Sequence, residues 1–155
     1  MVKTGWIVLG GAFALLLSAC SGEGDPDKGV ESEPAGKPAV TASSGGATVS
    51  VKADKTHAVQ PGDQITLTID VKEFRLAPGS IGAANEVGAG HYRVYLDDAS
   101  GDDYLVVGAE SSTKVVIPAD ISDGSHDLRV VLHGNDERPL DPAVEGSVLL
   151  IVYRL

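Results

Sequence analysis

The sequence contains very little cysteine, with a single residue, Cys20, in a chain of 155. One thiol cannot form an internal disulfide or a cysteine-based zinc site, so packing must hold the fold together. Aromatic residues make up only 5% of the chain, and basic residues number 12 against 22 acidic ones, for a formal net charge of −10. This charge repels nucleic acid and anionic membranes and excludes nucleic acid as the expected partner.

Several signatures of catalysis are also missing. The sequence has no Gly-x-Ser-x-Gly elbow, no His-Glu-x-x-His pair, no phosphate-binding loop ending in Gly-Lys-Ser/Thr and no Cys-x-x-Cys. No nucleophile has an evident base near it in sequence. With 155 residues, the chain is long enough for one domain but hardly for two. We therefore predict a small protein that is not an enzyme.

The first twenty residues have the pattern of an export signal. Lys3 precedes an apolar run from Gly5 to Leu17, which is followed by Ser18-Ala19-Cys20. The run is shorter than the roughly 20 residues that a membrane-spanning helix needs, so a cleaved signal peptide is the favoured interpretation. The end of this segment, Leu17-Ser18-Ala19-Cys20, resembles the lipobox of bacterial lipoproteins. An ordinary secretory leader that happens to end in Ala-Cys is the alternative.

The resemblance implies that Cys20 carries a thioether-linked diacylglycerol and an acylated amino terminus after cleavage behind residue 19. Two or more acyl chains hold a protein stably on a bilayer, so the membrane is an expected partner through this anchor. The resemblance also implies that the residue after the cysteine influences sorting. Here it is Ser21, which points to the outer membrane in a Gram-negative cell.

The composition divides the rest of the chain into a linker, residues 20–46, and a domain, residues 47–155. The linker is rich in Ser, Gly, Pro, Ala and acidic residues and has almost no large apolar side chain. Such a segment cannot bury enough surface to offset the entropy of ordering, so it is predicted to be a flexible tether.

The domain consists of short β-branched runs separated by Gly, Pro and Asp clusters, which is the pattern of strands and turns. The run 65–71 alternates strictly between apolar and polar residues, which predicts a strand with one buried face. The run 147–153 is almost continuously apolar, which predicts a strand flanked by neighbours on both sides. About seven strands predict an all-β, two-sheet antiparallel sandwich of immunoglobulin-like topology.

Strand phase sorts the histidines near the predicted third and sixth strands. His126 is in phase with core residues, so we expect it at the core margin, hydrogen-bonded to backbone. His91 and His133 lie on the opposite, outward face, where they are expected to be exposed. In this topology the two strands are antiparallel neighbours, which brings His91 beside His133.

These two histidines are candidate metal ligands. With Asp136 or Glu137 from the loop that follows, His91 and His133 would form a plausible site for copper or zinc at the rim of the sandwich. Arg93 lies on the same face as a competing cation, and no fourth ligand is evident. The favoured interpretation is a non-enzymatic binding or accessory module for a protein or ligand that the sequence does not identify, and the metal site is the alternative.

Three stretches also resemble small exported bacterial β-sandwich domains of unassigned function. They are 88–97, 124–128 and 135–140, where the corresponding motifs read Gly-x-Gly-His-x-His, Gly-x-His-x-Leu and Asn-Asp-His-x-Pro. This chain has Arg93 and Glu137 in place of two of the histidines. The resemblance implies either a partly lost metal site or an ion pair between Arg93 and Glu137 that replaces a His-His contact.

A separate acidic loop contains Asp97, Asp98, Asp102 and Asp103. Four carboxylates attract calcium, but Asp and Gly are also the ordinary residues of hairpin turns. The order of residues differs from that of an EF-hand, and a turn is the favoured interpretation.

Overall fold

The computed structural model describes residues 44–98 and 102–154. The predicted signal peptide, Cys20 and nearly all of the predicted linker lie outside these residues. Within them the structure consists of strands and one short 3-10 helix, Pro78–Ser80. No helix in the described residues has the length and apolar character that a membrane crossing requires.

Eight strands are present in the described residues, compared with about seven predicted. The additional strand is the two-residue segment Arg75–Leu76, directly after Phe74. The strands are β1 Thr48–Ala53, β2 Gln64–Lys72, β3 Arg75–Leu76, β4 Ala89–Leu96, β5 Val106–Gly108, β6 Ser112–Val116, β7 Gly124–Gly134 and β8 Glu145–Val152.

The strands form two sheets, in the orders β1-β2-β6 and β3-β4-β7-β8, with β5 also paired to β4. The neighbours are antiparallel except for the short β3, which runs parallel to β4. The first, second and sixth strands therefore face the fourth, seventh and eighth. This is the strand order of an immunoglobulin-like sandwich, and the predicted fold class is confirmed.

The core lies between the sheets and is built by period-two alternation. In β2, Ile65, Leu67 and Ile69 are at most 2% exposed while the polar residues between them face solvent. Tyr92 of β4 and Leu132 of β7 are fully buried on the facing sheet. The opposite, outer face of β4 and β7 carries His91 and His133.

The prediction for the last strand is wrong. β8 is at the end of its sheet in the described part of the chain and pairs with β7. Leu149 is 56% exposed, whereas Leu150 is fully buried, so the strand alternates despite its continuous apolar sequence. The outer edge of β8 is covered near its end, where Ile151 exchanges backbone hydrogen bonds with Thr56 and Val59.

Candidate functional site

The candidate site lies where the start of β4 meets the end of β7. Residues 90–96 of β4 pair with residues 128–134 of β7 in antiparallel register, and His91 is directly opposite His133. Their rings are stacked with 5.5 Å between centroids and 27° between planes. The predicted pairing of the two histidines is therefore confirmed.

Their predicted exposure is wrong. His91 is fully buried and His133 is only 3% exposed. Two loops meet at this end of the sheet, since the Gly82 N–H donates to the Asn135 carbonyl oxygen at 2.7 Å and the Asn135 Nδ2 donates to the Ala84 carbonyl oxygen at 3.3 Å. Strand phase placed the histidines on the outer face, but it did not indicate that loops would enclose that face.

The turn after β7 fixes the orientation of His133. The Glu137 N–H donates to the Gly134 carbonyl oxygen at 3.1 Å, and Glu137 adopts a left-handed φ of 66°. This turn brings the Glu137 carbonyl oxygen to 2.9 Å from His133 Nδ1. A carbonyl oxygen only accepts hydrogen bonds, so Nδ1 carries the proton and Nε2 of the neutral ring keeps its lone pair.

Arg93 occupies the position next to the histidine pair on the outer face. Its Nη2 lies 3.0 Å from Glu137 Oε2, its Nη1 lies 3.2 Å from Asp102 Oδ1, and its guanidinium stacks on Tyr104 at 4.6 Å from the ring centroid. The ion pair between Arg93 and Glu137, one of the two alternatives from the sequence, is present. Its carboxylates are 52% and 93% exposed for Glu137 and Asp102, so each pair contributes about 0–1 kcal/mol.

The two carboxylates considered as metal ligands are both engaged by other groups. Glu137 pairs with Arg93, and Asp136 Oδ1 accepts the Arg138 backbone N–H at 3.3 Å. In the part of the chain that the structure describes, no three His, Cys, Asp or Glu side chains are grouped so as to hold a metal ion. The structure thus brings His91 and His133 together and directs the two carboxylates elsewhere.

Burial keeps both histidines neutral. Burial, together with the nearby His133 and Arg93, lowers the pKa of His91 to about 4. Burial also lowers the pKa of His133, partly opposed by its hydrogen bond to the Glu137 carbonyl oxygen. At neutral pH each ring therefore presents one nitrogen lone pair, which is the form that binds metals.

The buried polar atoms without a hydrogen-bond partner in the described residues fall in this one region. They are His91 Nδ1 and Nε2, Arg93 Nε, His133 Nε2 and Asn135 Oδ1. Buried polar groups are normally satisfied, so a cluster of exceptions marks the region as unusual. Sequence reasoning did not identify Asn135, although it belongs to the Asn-Asp motif; its burial depends on the loop at residues 82–84.

A surface depression of about 270 Å³ lies beside the cluster and is lined in part by Arg93, His133 and Glu137. Tyr95, Val131 and Pro139 add apolar surface to its wall. A depression with apolar walls and a few charged groups is suited to binding a small ligand or a side chain of a partner.

The third buried histidine lies where the sequence predicted it. His126 is 8% exposed at the core margin, and its Nε2 lies 2.9 Å from the Ser122 carbonyl oxygen. Its Nδ1 lies 2.8 Å from Asp97 Oδ2, and this hydrogen bond raises the pKa of His126. Asp97 Oδ1 in turn accepts the Asp127 backbone N–H at 2.9 Å.

This arrangement bears on the predicted acidic loop. The carboxylate of Asp97 is bound to His126 and that of Asp102 to Arg93, so two of the four acids have other partners. Residues 99–101 of the loop lie outside the described residues, and the turn stays a prediction.

No family model matches the chain, and no curated protein matches it either. Among solved structures, it is similar to the fibronectin(III)-like modules of Clostridium thermocellum CbhA, at 13% identity and a TM-score of 0.41. The match covers 75% of this chain and 50% of that one, so this chain spans about half the length of its match.

Proposed function

We propose that this chain is a lipid-anchored lipoprotein of the cell envelope whose β-sandwich is a non-enzymatic binding or accessory module. The observation that carries the proposal is the position of the sole cysteine, Cys20, directly after Leu17-Ser18-Ala19 and the apolar leader. The first strand of the sandwich begins at Thr48, which leaves the intervening residues to connect anchor and domain.

The environment of the histidines supports a module that is not catalytic. In the described residues, exposed His57 is the histidine that contacts a hydroxyl group, with its Nδ1 2.9 Å from Oγ1 of the adjacent Thr56. None of the buried His91, His126 and His133 is hydrogen-bonded to a hydroxyl group that it could activate as a nucleophile. Their partners are backbone carbonyl oxygens, one carboxylate and each other. The protein or ligand that the module binds is not identified, and the depression beside Arg93 is a candidate place for it.

The anchor is tested by expressing the chain in a bacterium and comparing Cys20→Ser with the neighbouring Ser21→Ala as control. We expect the unsubstituted chain and the control to sediment with membranes, to incorporate labelled palmitate and to show the mass of a processed, acylated amino terminus. Cys20→Ser should be unlabelled and leave the membrane fraction. An unprocessed, unacylated terminus, or a Cys20→Ser protein that stays equally membrane-bound, would overturn the proposal.

A second candidate function is the binding of copper or zinc through His91 and His133. The observation that favours it is the set of three buried ring nitrogens without hydrogen-bond partners, held next to one another on adjacent strands. It is tested by equilibrium binding of Cu(II) and Zn(II) to the chain with and without His91→Ala and His133→Ala. A dissociation constant above roughly 1 mM, or binding that both substitutions leave unchanged, would exclude this function.

A further inference from the structure

The unpartnered atoms of the histidine cluster have a defined hydrogen-bonding character. His133 Nε2 has a free lone pair, because it is Nδ1 that carries the proton and donates it to the Glu137 carbonyl oxygen. His91 has no hydrogen-bond partner on either ring nitrogen, so either neutral tautomer offers one lone pair. Asn135 Oδ1 has a free lone pair as well. The Nδ2 of this amide donates to the Ala84 carbonyl oxygen, and Oδ1 has no hydrogen-bond partner. The cluster therefore offers three lone pairs.

The three donors belong to one end of one sheet. His91 and His133 are paired across β4 and β7, and Asn135 follows His133 by two residues at the start of the turn. All three residues are at most 3% exposed. Leaving a buried polar atom unsatisfied is unfavourable, so the lone pairs favour a bound species that accepts them.

We propose that His91, His133 and Asn135 ligate a divalent transition-metal ion through two imidazole nitrogens and the Asn135 Oδ1, with Cu(II) bound most tightly. This inference rests on the metal-binding candidate function stated above and changes its donor set. The third ligand is the amide oxygen of Asn135. Asp136 and Glu137 stay outside the coordination shell, and their negative charges balance the positive charges of the ion and of Arg93.

The surroundings of His133 match those of a metal ligand. A ligating histidine usually donates its other ring N–H to a carbonyl oxygen or carboxylate, which fixes the ring and its tautomer. His133 has this arrangement, with Nδ1 bonded at 2.9 Å to the Glu137 carbonyl oxygen and Nε2 left without a partner. The turn with a left-handed Glu137 thus orients His133 and also directs the Glu137 carboxylate to Arg93.

The donor types select the class of ion. The set has no thiolate, which soft Cu(I) prefers, and no carboxylate among its ligands, which Ca²⁺ and Mg²⁺ prefer. Imidazole suits Cu(II), Ni(II) and Zn(II), and the general order of stability places Cu(II) above the other two. We therefore expect Cu(II) to bind more tightly than Ni(II) or Zn(II), and Mg²⁺ to show no binding.

The experiment uses the mature chain from residue 20 onward with Cys20→Ser, because the free thiol would itself bind copper. Calorimetric titration with the chlorides of Cu(II), Ni(II), Zn(II) and Mg²⁺ measures affinity, and the electron paramagnetic resonance spectrum of the Cu(II) complex reports the ligands. We expect superhyperfine splitting from two imidazole nitrogens. Asn135→Ala should weaken Cu(II) binding by at least about tenfold and shift the spectrum.

Two further variants keep the test decisive. Asn135→Asp cannot donate to the Ala84 carbonyl oxygen, but it retains a side-chain oxygen, and its carboxylate should keep Cu(II) bound. Glu137→Gln is the matched control, because it removes the competing carboxylate and should leave the ligand pattern of the spectrum unchanged. If Asn135→Asp also fails to bind, Asn135 does not act as an oxygen ligand, and the inference is wrong.

The outcomes separate the inference from the function on which it rests. If Asn135→Ala binds Cu(II) as tightly as the unsubstituted chain while His91→Ala and His133→Ala abolish binding, the metal function holds and the donor set proposed here is wrong. A spectrum that changes with Glu137→Gln and not with Asn135→Ala would assign the third ligand to the carboxylate. If no metal binds, both fail, and the lipid anchor is judged by its own experiment.

Discussion

Residues of one type acquire opposite properties in this sandwich because their contacts differ. His91 is fully buried and has no polar partner, and burial lowers its pKa to about 4. His126 is also buried, but its hydrogen bond to the Asp97 carboxylate raises its pKa. His91 is consequently a neutral group that low pH destabilises, whereas His126 stabilises the fold in its charged form.

The pKa of His91 predicts a loss of stability in acid. Its folded-state pKa lies below the unfolded value of 6.5, so the unfolded chain binds more protons as the pH falls from about 6.5 to about 4. The stability contributed at neutral pH, about 3 kcal/mol, is lost across that window. The lowered pKa of His133 acts in the same direction, and the raised pKa of His126 opposes it.

Urea unfolding at about pH 7, 5.5 and 4 measures this effect, because these values span the interval between the unfolded and folded pKa values of His91. We expect His91→Leu to flatten the dependence on pH, because Leu cannot bind a proton. His57→Leu is the matched control, since His57 is exposed, and it should retain the slope of the unsubstituted chain. Parallel curves for all three proteins would contradict the assignment.

For single residues, the sequence predicted which side chains contact each other better than it predicted how far they are buried. Strand phase and topology placed His91 beside His133, and the replaced histidines of the motifs suggested the ion pair between Arg93 and Glu137. Burial of the pair was not predictable, because it depends on how the loop containing Gly82 meets the turn containing Asn135. Loop conformation is set by contacts between distant segments, which local patterns do not encode.

At the scale of elements, alternation predicts a strand well only where the two faces differ in composition. Residues 65–71 alternate between apolar and polar side chains, and β2 has the expected buried and exposed faces. The run in β8 is apolar on both faces, so its sequence does not reveal its position in the sheet. Among the strands β8 pairs only with β7, and this position at the end of the sheet is a property of the whole topology.

Two neighbouring leucines test the orientation of β8. Leu150 is fully buried in the core, whereas Leu149 is 56% exposed on the outer face. We expect Leu150→Ala to lower the free energy of unfolding by about 2–5 kcal/mol, because it removes buried methyl groups and leaves a cavity. Leu149→Ala should change it by about 0.5 kcal/mol or less, as for an exposed position. Equal effects in chemical denaturation would show that the strand is covered on both faces, as its sequence suggests.

At the scale of the whole molecule, the class of fold was predictable because it depends on the number and spacing of strands. Short β-branched runs between turn residues limit the choice to sandwiches and barrels. The structure then resolves that choice through strand order, with β1, β2 and β6 facing β4, β7 and β8. The boundary of the domain, predicted at residue 47, depends on composition alone and stays a prediction.

That boundary is tested by truncation, because the sandwich should not need the residues before its first strand. Ala47 is 7% exposed and its N–H donates to the Ser44 carbonyl oxygen at 2.6 Å, so a fragment from residue 44 keeps the start of β1 intact. We expect its melting temperature to equal that of the mature chain with Cys20→Ser.

A fragment from residue 54 lacks β1, which pairs with β2 from Thr48 to Ala53 and places Val49 and Val51 against the core. It should lose at least about 1.5 kcal/mol of stability, since full burial of a valine side chain contributes about 1.5–3 kcal/mol and Val49 and Val51 are each partly buried. A lower melting temperature for the fragment from residue 44 would instead place part of the predicted linker within the folded domain.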